Sequence, residues 1–298
     1  MYDNAVLRQT YDCLVSIKND ETLTSRKIKN RLNELDGKEW VKLTKSWFIV
    51  NPPARTRRQL EHPAKFPEKL VERFVKFFTN KGDWVLDPFG GVGSTGRACK
   101  NLDRNAFCIE LNSEFVEIGQ HGLEKKAEFN QYLVRGDSLE IEFILGDHFG
   151  PDIPNFDYLV TSPPYWNMLR KSRGGNETTH KERGEQGLKQ HYSESDRDLG
   201  NIEGYQDYLD NLYGIFEALF PFLHDKAYLT VIVQNMRDVD GTLRPIAWDL
   251  AKKLSDIYKL QQEMIWCQDN KRLGCWGFPT TYVSNVHHHY CLIFQKTK

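Results

Sequence analysis

From Glu61 onward, short apolar runs alternate with amphipathic helical stretches, and this alternation leaves few folds open. The runs predict strands at Trp84–Asp87, Ala106–Leu111, Tyr132–Arg135, Tyr158–Thr161, Tyr228–Gln234, Lys259–Trp266 and Tyr290–Gln295. Helices are expected at Phe66–Phe78 (introduced by Pro63 and Pro67), near Gly93–Asn101, and at Ser113–Lys126, Tyr205–Phe222 and Arg244–Asp256. Strands that are apolar on both faces, separated by helices, imply an α/β fold with a mostly parallel sheet covered on both sides. Such sheets bind ligands beyond the carboxyl ends of their strands. The segments just after each strand are therefore where chemistry should be sought.

The first strand runs into Asp87-Pro88-Phe89-Gly90-Gly91-Val92-Gly93-Ser94-Thr95-Gly96. Small residues let the backbone pass close to a ligand, and the helix that follows opens with unpaired N–H groups aimed at it. Gly91, Gly93 and Gly96 formally spell the dinucleotide fingerprint G-x-G-x-x-G. A dinucleotide loop, however, turns from strand straight into glycine, whereas here Asp-Pro-Phe-Gly intervenes, and an acid at the strand end would repel a pyrophosphate. The second strand ends at Glu110-Leu111, where a carboxylate can accept both hydroxyls of a ribose. The third leads into Asp137-Ser138, where the acid can accept from an adenine amine, cap the next helix, or do both. Acids at three successive strand ends, with glycines, point to a nucleoside-like ligand without a pyrophosphate.

The fourth strand ends in Thr161-Ser162-Pro163-Pro164-Tyr165-Trp166. Two prolines fix φ and contribute no N–H, so neighbouring carbonyls stay available as acceptors beside an aromatic surface. That arrangement suits a planar group that donates hydrogen bonds, such as the exocyclic amine of a nucleobase.

Charge is unevenly spread. Residues 1–60 hold 12 Lys+Arg against 7 Asp+Glu, a balance of +5; the remaining 28 and 34 give −6, summing to the chain's −1. A basic N-terminal segment on an acidic body suggests one face that meets a polyanion. Within it, Thr22–Asp36 predicts a capped helix and Trp40–Val50 a strand, an arrangement resembling a small winged-helix module; the plainer reading is an extension that packs on the body. Asn51–Arg58, with two prolines and three arginines, predicts a linker. The domain expectation is a module at 1–60 and a second unit at 61–298.

DPFGGVGST together with TSPPY closely resembles the DNA amino-methyltransferases, which modify exocyclic nitrogens. The resemblance implies a Rossmann-like, seven-stranded, mostly parallel sheet with an antiparallel last strand, and Val286–Phe294 suits that last strand. It implies S-adenosylmethionine as cofactor and double-stranded DNA as substrate. By resemblance, Asp87, Pro88, Phe89, Gly91 and Gly93 line the cofactor loop, and Ser94 and Thr95 meet the methionine carboxylate. Glu110, with Leu111, holds the ribose; Asp137, with Ser138, holds the adenine amine; Thr161 closes the set. His62–Pro67, including Lys65 and Phe66, resembles the segment that packs over the methionine end. Ser162, Pro163, Pro164 and Tyr165 form the catalytic pocket, where a flipped base stacks on Tyr165 and Trp166. Ser before Pro-Pro accompanies cytosine N4 in this family, and Asp accompanies adenine N6, so Ser162 favours N4-methylcytosine, with N6-methyladenine the alternative. A restriction–modification setting is implied, with a cognate endonuclease acting separately; an RNA methyltransferase or a non-catalytic DNA-binding protein of this fold are the further alternatives.

Large recognition domains are common in such enzymes, and little room for one exists here. Recognition is expected from the hydrophilic insert Asn167–Asn201, from Asp269–Asn285, rich in aromatic and basic residues, and from the N-terminal segment. His287-His288-His289 cannot converge on one metal ion as successive strand residues, so no metal is expected. The six cysteines, at 13, 99, 108, 267, 275 and 291, include no C-x-x-C pair and are expected as reduced thiols. The longest apolar run, Tyr228–Val233, is far short of a membrane span, and Met1–Cys13 has no apolar signal core, which suggests a cytoplasmic protein.

Overall fold

The computed structural model describes residues 31–52, 66–123, 128–166, 197–238, 240–271 and 273–297. In chain order these form α1 (Gly37–Leu43), β1 (Trp47–Ile49), α2 (Glu68–Phe78), β2 (Trp84–Asp87), α3 (Ser94–Asn101), β3 (Asn105–Glu110), α4 (Ser113–His121) and β4 (Gln131–Arg135). Then follow α5 (Ile141–Phe149), β5 (Phe156–Thr161), α6 (Tyr205–Leu219), β6 (Leu223–Val233), β7 (Met236–Arg237), β8 (Leu243–Arg244), α7 (Ile246–Leu254), β9 (Tyr258–Cys267) and β10 (His288–Lys296). One sheet has the order β1-β9-β10-β6-β5-β2-β3-β4, and β7 and β8 pair as a small hairpin.

β10 runs antiparallel to both β6 and β9, while β5–β6, β2–β5, β2–β3 and β3–β4 are parallel. This is the expected Rossmann-like, seven-stranded methyltransferase sheet with an antiparallel last strand, extended by one further strand. The order reverses between β2 and β5, so the loops after those strands open into one crevice. Side chains alternate across the sheet. Leu86, Phe107, Leu159 and Leu229 join the core under α5, α6 and α7. Val85, Ala106, Cys108, Tyr158 and Val160 face α2 and α3 on the other side. Burial of each large apolar side chain contributes about 1.5–3 kcal/mol, which fixes strand register and hence the position of every strand end.

The eighth strand comes from the N-terminal segment. β1 pairs in parallel with β9, Trp47 opposite Ile265 and Ile49 opposite Cys267. Phe48 packs edge-on against Phe74 of α2, and Trp266 Nε1 donates to the Val50 carbonyl at 2.8 Å. β1 thus extends the sheet, while Asn33, Glu39, Trp40 and Leu43 contact α2. The helix expected over Thr22–Asp36 differs: residues 22–30 lie outside the described residues, and Arg31–Asp36 is not helical. Instead, Asp36 caps α1. Its carboxylate accepts from Glu39 N at 2.8 Å, and Glu39 accepts from Asp36 N in return. A reciprocal capping box outcompetes the apolar spacing upstream. Because α1 takes residues 37–43, the strand expected from Trp40 begins only at Trp47. His289 sits in β10, an interior strand between β9 and β6. No helix among the described residues is long and apolar enough to cross a membrane.

Candidate functional site

The crevice at the switch point holds a cavity lined by the ends of four strands: Asp87 to Val92 after β2, Ile109 to Leu111 after β3, Gly136 to Ser138 after β4, and Val160 to Tyr165 at the end of β5. Phe66, Ser94, Thr95 and Arg197 to Leu199 complete the wall.

The glycine loop owes its path to sterics. Gly90 lies so close to β3 that a Cβ there would meet Cys108 Cβ and Leu133 Cδ1 at 2.9 Å. Gly91 (φ 52°) and Gly93 (φ 78°) occupy left-handed conformations that L side chains rarely adopt. Gly93 is the N-cap of α3 and does not itself line the cavity. Gly96 serves packing: a Cβ there would press on Leu123 at 3.1 Å. The formal dinucleotide match therefore combines two requirements, left-handed backbone at Gly91 and Gly93 and close packing at Gly96.

Asp87 holds the cavity together. One carboxylate oxygen accepts from Phe89 N at 3.0 Å and from the Thr161 hydroxyl at 2.6 Å, and the other accepts from Thr95 Oγ1 at 2.5 Å. The acid is 4% exposed, and burial raises its pKa while the three donors oppose that. It ties the loop after β2 to α3 and to the residue preceding Ser162. Thr95 and Ser94, expected at a methionine carboxylate, use their hydroxyls inside the protein: Ser94 Oγ donates to the Phe66 carbonyl at 3.0 Å. Any anion at this helix N-terminus meets the backbone N–H groups of the first turn.

Glu110 accepts from Gly91 N at 2.9 Å and Asn112 N at 2.8 Å. Burial, aided by the negative charges of Asp198 and Asp87, lifts its carboxyl to about 7 despite those two donors. Asp137 takes the capping role foreseen for it. It lines the cavity, and it caps the short 3₁₀ turn Ser138–Glu140 by accepting from Leu139 N at 3.0 Å. Arg197 reaches it at 3.3 Å while holding Glu140 at 2.6 Å. The Ser138 hydroxyl donates to the Pro88 carbonyl, joining two loops of the wall.

Ser162, Pro163, Pro164 and Tyr165 line the same cavity. The Pro164 carbonyl accepts from Tyr208 Oη of α6 at 2.9 Å, which fixes the loop from beneath. Tyr165 is buried, its ring 6.4 Å from His289. Trp166 differs from expectation: at 3% exposure it belongs to the core, edge-on to Tyr205 at 5.1 Å, and offers no stacking surface. The chain turns inward after Tyr165 because α6 presents an apolar face there. Phe66 covers one side, packed on Trp266 at 5.3 Å and His289 at 5.9 Å. Lys65 and 167–196 lie outside the described residues.

The sequence reading missed Gly90 and Asp198. Gly90 carried a signal, the first of a glycine pair after Asp-Pro-Phe. Asp198 is 4% exposed in the cavity wall and accepts from Gly200 N at 2.9 Å. Its only sequence signal is an acid directly before an apolar residue at the end of a hydrophilic insert.

The sheet has the Rossmann-like order expected, and the acids at the ends of β2, β3 and β4 surround one cavity. A family model described as DNA methylase matches residues 3–121, which include the glycine loop and end before Ser162–Tyr165, and this supports the resemblance to the DNA amino-methyltransferases. The chain is similar to the type II methyltransferase M.HpaI of Haemophilus parainfluenzae, 41% identical over 86 residues, covering 29% of this chain and 27% of that protein. It is also similar to M2.DpnII of Streptococcus pneumoniae, 40% identical over 70 residues, 24% of this chain and 26% of that one. The chain spans about a quarter of the length of these relatives. Among solved structures, a methyltransferase from Pyrococcus furiosus aligns with a TM-score of 0.43 at 14% identity, over 78% of this chain and 84% of that one.

Proposed function

We propose that the chain is an S-adenosylmethionine-dependent DNA amino-methyltransferase that modifies the exocyclic N4 of a flipped cytosine. The observation that carries this reading is the convergence of the TSPPY loop and the three strand-end acids on one cavity. The names of the similar proteins, type II methyltransferases, support the reaction class. The donor set suits the cofactor. Glu110 offers carboxylate oxygens toward a ribose, Asp137 an acceptor for an adenine amine, and the first turn of α3 its N–H groups for a carboxylate.

When bound, S-adenosylmethionine supplies an electrophilic methyl group. The chain's own residues act on the amine. An exocyclic amine is a weak nucleophile because its lone pair is delocalised into the ring. The Ser162 hydroxyl and the Pro163 carbonyl accept its two N–H bonds, favour a pyramidal nitrogen and free the lone pair. Tyr208, by holding Pro164, keeps that acceptor pair in place. Catalysis then rests on orientation and electrostatic stabilisation, with no covalent enzyme intermediate. Tyr165 supplies the stacking face, and Phe66 shields the cavity from water.

The test is product identity. The protein is incubated with S-adenosylmethionine and mixed-sequence duplex DNA, the DNA is digested, and nucleosides are resolved by mass spectrometry. N4-methylcytosine is expected. N6-methyladenine would retain the fold and mechanism and overturn the base assignment; methylation of RNA alone would overturn the substrate.

A further inference from the structure

The loop between β9 and β10 carries the most exposed aromatic side chains among the described residues. Phe278 is 80% and Tyr282 86% exposed, with Leu273 at 78% beside them. Leaving such groups in water is costly unless something covers them. The loop is nevertheless built. Asn285 closes its neck, accepting from Gly274 N at 2.8 Å and Trp276 Nε1 at 3.1 Å and donating to the Gly274 carbonyl at 2.9 Å. The tip turns at Gly277 (φ 72°), whose carbonyl accepts from Thr280 N and Thr281 N. At the root, Gln268 N donates to the His287 carbonyl at 2.8 Å.

Its position follows from topology. β9 is parallel to β6 and β5, because β10 is antiparallel to β9 and β6, and β6 is parallel to β5. The loop therefore leaves the same edge of the sheet as Ser162–Tyr165. Two residues past its root, His289 packs 6.4 Å from Tyr165. Residues 273–285 carry no charged side chain, and the cations Lys271 and Arg272 stand at their start, after Asp269. Two flat rings held on a neck-closed loop that opens beside Ser162–Tyr165, with Lys271 and Arg272 at its start, suit nucleobases and their phosphates.

We propose that residues 273–285 form an aromatic finger that enters the duplex beside the target, Phe278 and Tyr282 stacking on the bases that the target's departure leaves unstacked. This rests on the DNA-methyltransferase reading and deepens it: the finger supplies stacking that offsets the cost of flipping, while the TSPPY loop receives the flipped base. A substrate whose target is already unpaired has little need of it.

The test compares the full chain with the F278A/Y282A variant, measuring methyl incorporation on duplex DNA and on the same DNA made single-stranded. Both side chains project into solvent, so folding is unaffected, and the cofactor affinity of the two proteins should agree within twofold. The variant is expected to raise the apparent KM for duplex roughly 5- to 100-fold, the range of lost base–aromatic stacking, with under threefold change on single strands. Equal losses on both substrates, or no loss on duplex, would overturn the finger. So would a change of oligomeric mass in the variant, which would make the loop a contact between copies. If the wild-type protein methylates no DNA, the parent reading fails by itself. Duplex affinity by fluorescence anisotropy then decides for the finger, a weaker variant supporting it and an unchanged one refuting it.

Discussion

Thr161→Val tests whether the Asp87 clamp joins the two halves of the cavity. Thr161 and Asp87 are 3% and 4% exposed, and the Thr161 hydroxyl meets the carboxylate at 2.6 Å. Valine keeps the shape and the β-branch but removes the donor. A hydrogen bond to a charged acceptor contributes about 1.5–3 kcal/mol, and its loss leaves a buried carboxylate with two donors where three stood. The expected result is a fall in Tm of about 3–9 °C, with a matching shift in the urea midpoint at pH 8. Thr161→Ser keeps the hydroxyl and loses one methyl, so it should cost only about 0.5–1.5 kcal/mol. In an Asp87→Asn background the acceptor is neutral and the Thr95 hydroxyl can turn to accept from the amide, so adding Thr161→Val should cost about 1 kcal/mol or less. Because Thr161 precedes Ser162, the valine variant should also lose turnover. The reasoning is refuted if valine and serine are equally harmful, or if the valine cost is the same with and without the Asp87 charge.

The remaining predictions concern the acids, the glycine turn and the acceptor loop. Glu110 has its carboxyl raised to about 7. Its stabilising contribution is therefore fully present below about pH 4.5 and is lost as pH rises through about 7. Relative to Glu110→Gln, the wild type should lose up to about 3 kcal/mol between pH 5 and pH 8, read as a difference in Tm at the two pH values. In the opposite sense, S-adenosylmethionine affinity by calorimetry should weaken several-fold from pH 8 to pH 6 as the acid protonates, and Glu110→Gln should flatten that dependence. Gly90→Ala places a methyl 2.9 Å from Cys108 and Leu133, atoms held in the core, and should destabilise by about 1–3 kcal/mol in urea denaturation. Asp137→Ala removes a cavity acceptor and a cap, so cofactor affinity should fall first, with about 1 kcal/mol of stability. Ser162→Ala should lower turnover well beyond its effect on cofactor affinity, and equal loss of affinity in both variants would contradict the assigned roles.

What the sequence could and could not disclose follows from the range of the forces involved. The strand ends were legible because apolar runs stop where burial stops. Trp84–Asp87 is found where it was read, and β3 and β5 end within a residue of expectation. The acids at 87, 110 and 137 were legible for the same reason, since an acid after an apolar run must lie at a sheet edge. Their partners were not. That Thr95 and Thr161 spend their hydroxyls on Asp87, rather than on a ligand, depends on residues 8 and 74 positions away. The burial of Trp166 depends on Tyr205, across the whole insert. At the N-terminus the difference within the described residues is local. The helix expected over Thr22–Asp36 lies outside the described residues up to 30; its described end, Arg31–Asp36, is not helical, and the Asp36–Glu39 capping box starts a helix at Gly37 instead. β1 then joins β9 over 200 residues away, a pairing that no periodicity encodes.

The clamp at Asp87 also bears on how the cavity works. An acid that accepts directly from a ligand keeps acceptor capacity for it, and Glu110 and Asp137 line the cavity with two protein donors each. Asp87 instead spends three acceptor positions on the protein while remaining part of the cavity wall. Its negative charge is thus fixed beside the crevice without being available for capture by a passing donor, an arrangement that suits a cationic ligand centre better than a neutral one. When bound, a sulfonium would present a positive sulfur, whereas its demethylated thioether product would be neutral at that atom, the charge having passed to the amine nitrogen and left it as a proton. A fixed buried anion favours binding before the step more than after it, which aids product release at some expense to the barrier. Asp87→Asn separates these effects. It should weaken S-adenosylmethionine more than the neutral thioether product, so the ratio of the two affinities should fall while the fold is retained. An unchanged ratio would reduce Asp87 to a structural clamp.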